Sequence, residues 1–181
     1  LILTRHNYPI LIDVSQRRIL IVGGGQVASR KAAGLIDAGA TQVVAVAPTF
    51  TSDFPDAVQK IKRGYDVAML EGVDLVFVAT DRADVNDRVV RDAQARQVLV
   101  NRADADEENP GSFVTPARLV EGNITITVSA SAAALASRVR DEIKDRLDPR
   151  WSLMANAMQE IRPWVKTHRN LDQPQRAAIF R

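Results

Sequence analysis

The stretch RRILIVGGGQVASRKAAGLIDAGA, Arg17 to Ala40, sets three consecutive glycines between a short apolar run and a helical pattern. A chain that must pass at once from strand to helix has few folds open to it. Ile19 to Val22 reads as a short buried strand, and Val27 to Ala38 as a helix broken by Gly39. That strand-turn-helix unit opens a doubly wound α/β sheet.

The glycines fit Gly23-x-Gly25-x-x-Ala28, a dinucleotide fingerprint with alanine in its third position. In such a loop one glycine makes the tight turn, a second lets backbone approach a pyrophosphate, and a small third residue lets helix pack on strand. Exposed amides at the helix N-terminus, here Gln26 and Val27, favour the anion. The competing interpretation is a tight turn and nothing more.

The alternation of strand and helix continues to about Asn101, as a parallel sheet with crossover helices requires. Val43 to Ala47 reads as a second strand closed by Pro48, and Ile61 to Arg63, extended up to Val67, as a weak further one. Val73 to Thr80 is a continuous apolar run of the kind covered on both faces. ADVNDRVVRDAQARQ follows as an amphipathic helix with Val85, Val89 and Ala93 four residues apart, and Val98 to Val100 makes the next strand. Thr80 and Asp81, at the C-terminal end of the strong strand, fall near the ligand crevice; helix capping by Asp81 or Asp84 is the alternative.

The expected ribose-binding acid is missing. VVAVAPTFTS carries neither an acid nor an Arg where a dinucleotide site would hold a ribose or its phosphate. This argues against an ordinary dehydrogenase and does not choose NAD over NADP.

Composition narrows the classes. The 181 residues are 46% hydrophobic and 25% charged, enough for one medium domain or a smaller domain with an appendage. No cysteine is present, which removes disulfides, thiolate metal sites and cysteine nucleophiles and fits a reducing cytoplasm. The apolar runs are far shorter than the roughly 20 residues that span a bilayer, and no signal peptide is read. The net charge of +2 is dispersed along the chain, which gives nucleic-acid binding little support.

At DADEENPGS the composition shifts. Beyond it, Ile124, Ile126 and Val128 alternate after a turn at Gly122-Asn123, a half-exposed strand suited to an antiparallel sheet or a dimer edge. Ala132 to Leu147 is helical, and Trp151 to Arg181 reads as one or two short helices interrupted by Pro163 and Pro174.

Taken in order, YPILIDVSQRRILIVGGGQVASRKAAGLIDAGA, VVAVAP, VFVATDRADVN, VNRADAD and SFVTPARLVEGNITITVS resemble the precorrin-2 dehydrogenase family, which includes the N-terminal part of bifunctional sirohaem synthases. The match runs from Tyr8 to about Leu147. The resemblance implies a Rossmann NAD-binding domain over 1–112, a dimerisation segment over 113–147 and a C-terminal helical region over 148–181. It implies NAD-dependent oxidation of precorrin-2 to sirohydrochlorin by a homodimer, and in some members insertion of ferrous iron. The missing ribose acid is then a family trait.

The family's principal catalytic Asp falls on Asp104, where a carboxylate beside a hydrophobic cleft could be tuned to move a proton. His6 and His168 lie near the chain ends, so carboxylates are the preferred bases. The cofactor set is Gly23, Gly24, Gly25, Gln26, Val27, Ala28, Pro48, Thr80 and Asp81. Asn101, Arg102, Ser129 and Arg138 are expected to meet the carboxylate-rich substrate, with Arg118 and Arg140 as further cations. Asp106, Glu107 and Glu108 are read as loop solvation, and no metal site is expected.

The resemblance breaks at Val128-Ser129-Ala130-Ser131-Ala132-Ala133-Ala134, where family members carry glycines and a Ser-Pro pair. Ser129 and Ser131 are left to cap the following helix, to meet substrate, or both. The alternative to an enzyme is a catalytically inactive scaffold or sensor that binds a dinucleotide or a tetrapyrrole.

Overall fold

A computed structural model describes residues 8–104, 111–168 and 172–179. The chain divides into two units, Leu1–Val114 and Thr115–Arg181. No helix among the described residues is long and apolar enough to cross a membrane.

The first unit runs β1 (Arg18–Val22), α1 (Gln26–Asp37), β2 (Gln42–Val46), β3 (Gln59–Ile61), β4 (Leu75–Val78), α2 (Ala83–Ala95) and β5 (Leu99–Arg102). All five strands are parallel, in the order β3-β2-β1-β4-β5. This is the Rossmann-type order, whose direction reverses between β1 and β4 and opens a crevice at their carboxyl ends.

Alternate strand residues face opposite sides, and each side has its own core. Ile19, Ile21, Val43, Ala45, Leu75 and Phe77 pack with Ala28, Ala32 and Leu35 of α1. Leu20, Val22, Val46, Val76, Val78 and Val100 pack with Val89, Val90 and Ala93 of α2. Burying one such Val, Leu, Ile or Phe contributes roughly 1.5–3 kcal/mol, whereas an exposed ion pair contributes about 0–1. The apolar strands therefore hold the sheet and fix where its ends fall.

The weak strand expected from Ile61 up to Val67 forms earlier, as β3 at Gln59–Ile61, and a single 3-10 turn, Val67–Leu70, follows before β4. Asp66 explains the turn: its side chain accepts from the Ala68 N–H at 2.9 Å and caps it.

The second unit holds the antiparallel pair β6 (Ala117–Glu121) and β7 (Ile124–Val128), then α3 (Ala133–Arg146), α4 (Arg150–Thr167) and α5 (Gln173–Ile179). Gly122, at φ +57°, takes the first central position of the two-residue turn between Glu121 and Ile124. Asn123 Nδ2 donates to Asn156 Oδ1 at 2.7 Å, tying that turn to α4.

Two expectations for this unit are corrected. Ala132 is the N-cap of α3, with no side-chain cap, so neither Ser129 nor Ser131 caps it; the alanine run starts the helix unaided. Pro163 does not end α4, which continues through it to Thr167. The proline removes one helical hydrogen bond, but Val165 just beyond it is buried to 1% exposure and anchors the last turn.

Candidate active site at the carboxyl ends of the sheet

The three glycines divide by what surrounds them. Gly23 has φ +137°, and a Cβ there would stand 2.3 Å from the Ala79 carbonyl oxygen. A Cβ on Gly24 would stand 1.9 Å from the Thr49 carbonyl oxygen and 2.8 Å from Ala47 Cβ. The protein's own backbone therefore requires both. A Cβ on Gly25 would meet nothing within 4 Å. Gly25 is the N-cap of α1, and its small side leaves the helix N-terminus open for an incoming group.

Ala28, the third small residue of the fingerprint, is fully buried against β1. Val27 is 41% exposed on the first turn of α1. Pro48 and Thr49 lie exposed on the loop after β2. That loop folds back over the glycines: Thr51 N–H donates to the Gly24 carbonyl at 2.9 Å, and Gln26 Nε2 donates to Asp53 Oδ1 at 3.2 Å. A carboxylate thus stands beside the glycine turn, although β2 itself ends without one.

At the end of β4, neither Asp81 nor Asp84 caps α2. The cap position is Arg82, whose N–H donates to Thr80 Oγ1 at 3.2 Å. Asp81 is exposed, and Asp84 pairs with the Arg82 guanidinium at 2.6 Å.

Thr80 opens a chain of hydrogen bonds. Its hydroxyl donates to Asn86 Oδ1 at 2.6 Å, and Asn86 Nδ2 donates to the Thr80 carbonyl at 3.2 Å and to Asp104 Oδ2 at 3.0 Å. Arg102 then grips Asp104 with two bonds, Nε to Oδ1 at 2.6 Å and Nη2 to Oδ2 at 3.0 Å. Its remaining arm, Nη1, reaches Asp87 Oδ1 at 2.6 Å. Asn86 is 1% exposed and the Arg102 side chain 2%, while the Asp104 side chain keeps 37%.

This setting is more polar than the hydrophobic one expected for Asp104. The Arg102 guanidinium holds its carboxyl below the usual carboxylate range, helped by Asn86 and only partly opposed by burial. Asp104 is therefore a fixed anion and hydrogen-bond acceptor at neutral pH.

Arg102 was expected to meet substrate carboxylates. The structure turns its guanidinium inward, where it pairs with Asp104 and Asp87 among the described residues. Asn101, 2% exposed, is also committed inward: it accepts from Lys31 Nζ at 2.7 Å and donates to the Phe113 carbonyl at 2.9 Å. Lys31 lies over the Phe77 ring, and burial lowers its pKa, with Arg30 adding to the effect.

In the second unit Ser129, Arg118 and Arg138 are exposed, and Arg140 pairs with its neighbour Asp141 at 2.6 Å. His6, Asp106, Glu107 and Glu108 lie outside the described residues. Among the described residues no group of three or more His, Cys, Asp or Glu side chains could hold a metal ion.

The family described as "Putative NAD(P)-binding" matches residues 10–117. A "Siroheme synthase" of Photobacterium profundum is 36% identical over 154 residues, covering 81% of this chain and 32% of that protein. One from Methylobacillus flagellatus is 33% identical over 174 residues, covering 93% and 37%. A solved structure, "SirC, precorrin-2 dehydrogenase", superposes with a TM-score of 0.77 at 22% identity, covering 95% of this chain and 86% of that one. The chain belongs to the family described as "Putative NAD(P)-binding".

A precorrin-2 dehydrogenase thus shares the fold, and the chain spans about a third of the length of the sirohaem synthases it resembles. The family's cofactor, a nicotinamide dinucleotide, fits the residues present: the turn that the protein closes at Gly23 and Gly24 it leaves open at Gly25.

Sequence reasoning missed Asn86 and Asp87. Their signal was there: in the helix starting at Ala83, Asn86 shares the inward stripe with Val89, Val90 and Ala93. A buried polar residue on an apolar stripe needs hydrogen-bond partners, and Thr80 and Asp104 supply them.

Proposed function

We propose that this chain oxidises precorrin-2 to sirohydrochlorin with NAD as oxidant, within sirohaem formation. The observation that carries this is the Asp104 carboxylate, fixed as an anion just beyond β5. The glycine turn stands two strand spacings away, roughly 10 Å. In this reaction the macrocycle loses two electrons and a proton as hydride and one further proton to water. NAD supplies the hydride acceptor.

The chain's own residues do the rest. The open amides at Gly25 and Gln26 bind the pyrophosphate. Asp104 faces the macrocycle as positive charge develops on it, stabilising that charge and accepting a hydrogen bond from a pyrrole N–H. A carboxylate that is ionised before and after the step needs no reorganisation to do this.

NAD is favoured over NADP because β2 ends without an Arg and Asp53 stands beside Gln26, where an added phosphate would meet a negative charge. A homodimer belongs to the same proposal. Its support is the isolated β6–β7 pair, whose outer edges are unpaired among the described residues, with Val120 50% exposed.

The experiment is NADH production by the full chain given precorrin-2, compared with Asp104→Asn, with NAD affinity measured for both. Turnover lost with affinity kept supports an enzyme; NAD binding without reduction in the wild type leaves the inactive scaffold.

A further inference from the structure

Asn86 has no role yet, although it joins the end of one strand to the carboxylate beyond another. Among the described residues its carboxamide makes three hydrogen bonds: Oδ1 accepts from Thr80 Oγ1, and the two N–H groups go to the Thr80 carbonyl and Asp104 Oδ2. A side chain 1% exposed, with both donors and its oxygen engaged, is held in one orientation.

The consequence falls on Asp104. An ionised carboxylate has about four acceptor sites. Among the described residues, Arg102 takes one on each oxygen and Asn86 takes the second on Oδ2. Oδ1 thus carries one side-chain donor against two on Oδ2, and the side chain keeps 37% exposure. We propose that Asn86 is a positioning residue for Asp104: its carboxamide closes Oδ2 and links the Thr80 end of β4 to the carboxylate, so that substrate is met through Oδ1 alone. This rests on the catalytic reading of Asp104 given above.

Arg102 alone does not achieve this. Its fork sets the plane of the carboxylate but leaves Oδ2 a free site, and a substrate N–H could then bind at two places. Asn86 removes the second. It also couples the two loops that flank the crevice, since a shift of Thr80 pulls on the amide that holds Asp104.

Asn86→Asp tests this with almost no change in volume, exchanging a donor for an acceptor. Two carboxylates then face each other at about 3 Å, and one must take up a proton at a pH above the usual carboxylate range. We expect kcat for precorrin-2 oxidation to fall roughly tenfold to a hundredfold, with a new acid limb in its pH profile. The carbon-13 titration of the Asp104 carboxyl should move upward in parallel. NAD affinity measured by calorimetry should change by less than about threefold, since the glycine turn is untouched.

In an Asp104→Asn background the same exchange should leave the residual rate and its pH profile unchanged. Thermal melts confirm that each variant is folded; if Asn86→Asp melts early, Asn86→Ser, which keeps one donor, should recover part of the lost kcat. Wild-type kcat and an unmoved Asp104 titration in Asn86→Asp overturn the proposal alone. Full activity in Asp104→Asn overturns the reading of Asp104, and this proposal with it.

Discussion

Arg102 holds both oxygens of Asp104, Nε on Oδ1 at 2.6 Å and Nη2 on Oδ2 at 3.0 Å, from a side chain only 2% exposed. Two residues apart at the end of one strand, they form a planar fork that fixes charge and direction together. The pair fixes the Asp104 carboxylate at the carboxyl end of the sheet.

The first prediction concerns pH. Arg102 depresses the folded-state pKa of Asp104, so the pair's contribution to stability is present above the unfolded value, about 3.9. It is lost as pH falls through the lower folded value. Thermal midpoints should therefore be insensitive to Asp104 between about pH 5 and 8. The kcat/KM profile for precorrin-2 should show no limb from Asp104 in that window. A limb near neutrality that disappears in Asp104→Asn would show that the carboxyl protonates during turnover.

Replacing Arg102 separates charge from geometry. Arg102→Met takes the cation away from Asp87 and Asp104 and should cost about 2 kcal/mol, less than for a fully buried pair because the two carboxylates keep 39% and 37% exposure. Arg102→Lys restores the charge without the fork. It should recover stability better than it recovers kcat, read by urea unfolding beside turnover.

The glycine turn allows folding and binding to be told apart. Gly24→Ala pushes a Cβ into the Thr49 carbonyl and should destabilise by about 2–3 kcal/mol. Gly25→Ala meets no protein atom within 4 Å and should leave stability within about 0.5 kcal/mol. Its NAD affinity should nevertheless fall about tenfold, because the methyl occupies space kept for the pyrophosphate. Equal NAD affinity in Gly25→Ala and wild type would remove the pyrophosphate from this turn.

Asp53 bears on cofactor choice. Removing its charge in Asp53→Asn should narrow the preference for NAD over NADP several-fold, while Gln26 keeps an acceptor on the new side chain. The ratio of the two dissociation constants, measured by calorimetry, checks it. An unchanged ratio would take Asp53 out of the discrimination.

Much of the first unit was legible because its signals are local. The run Ile19–Val22, the glycines and the small residues Ala28 and Ala32 each specify strand, turn and buried helix face within a few positions. What escaped depends on distant pairs. Nothing next to Asp104 in sequence says that Asn86 will reach it from α2, or that Arg102 will turn inward. Pro163 misled for a related reason: the local rule ends a helix there, and the burial of Val165 outweighs it. The Asp66 cap is local as well, an acid two residues before the N–H it accepts from.

The most direct measurement of the central claim is the rate of NADH formation when NAD and precorrin-2 are given to the wild-type chain and to Asp104→Asn. NAD affinity should be determined on the same samples. The account predicts turnover by the wild type, a loss of at least about a hundredfold in the variant, and the same NAD dissociation constant in both. Wild-type protein that binds NAD and precorrin-2 yet forms no NADH would contradict it.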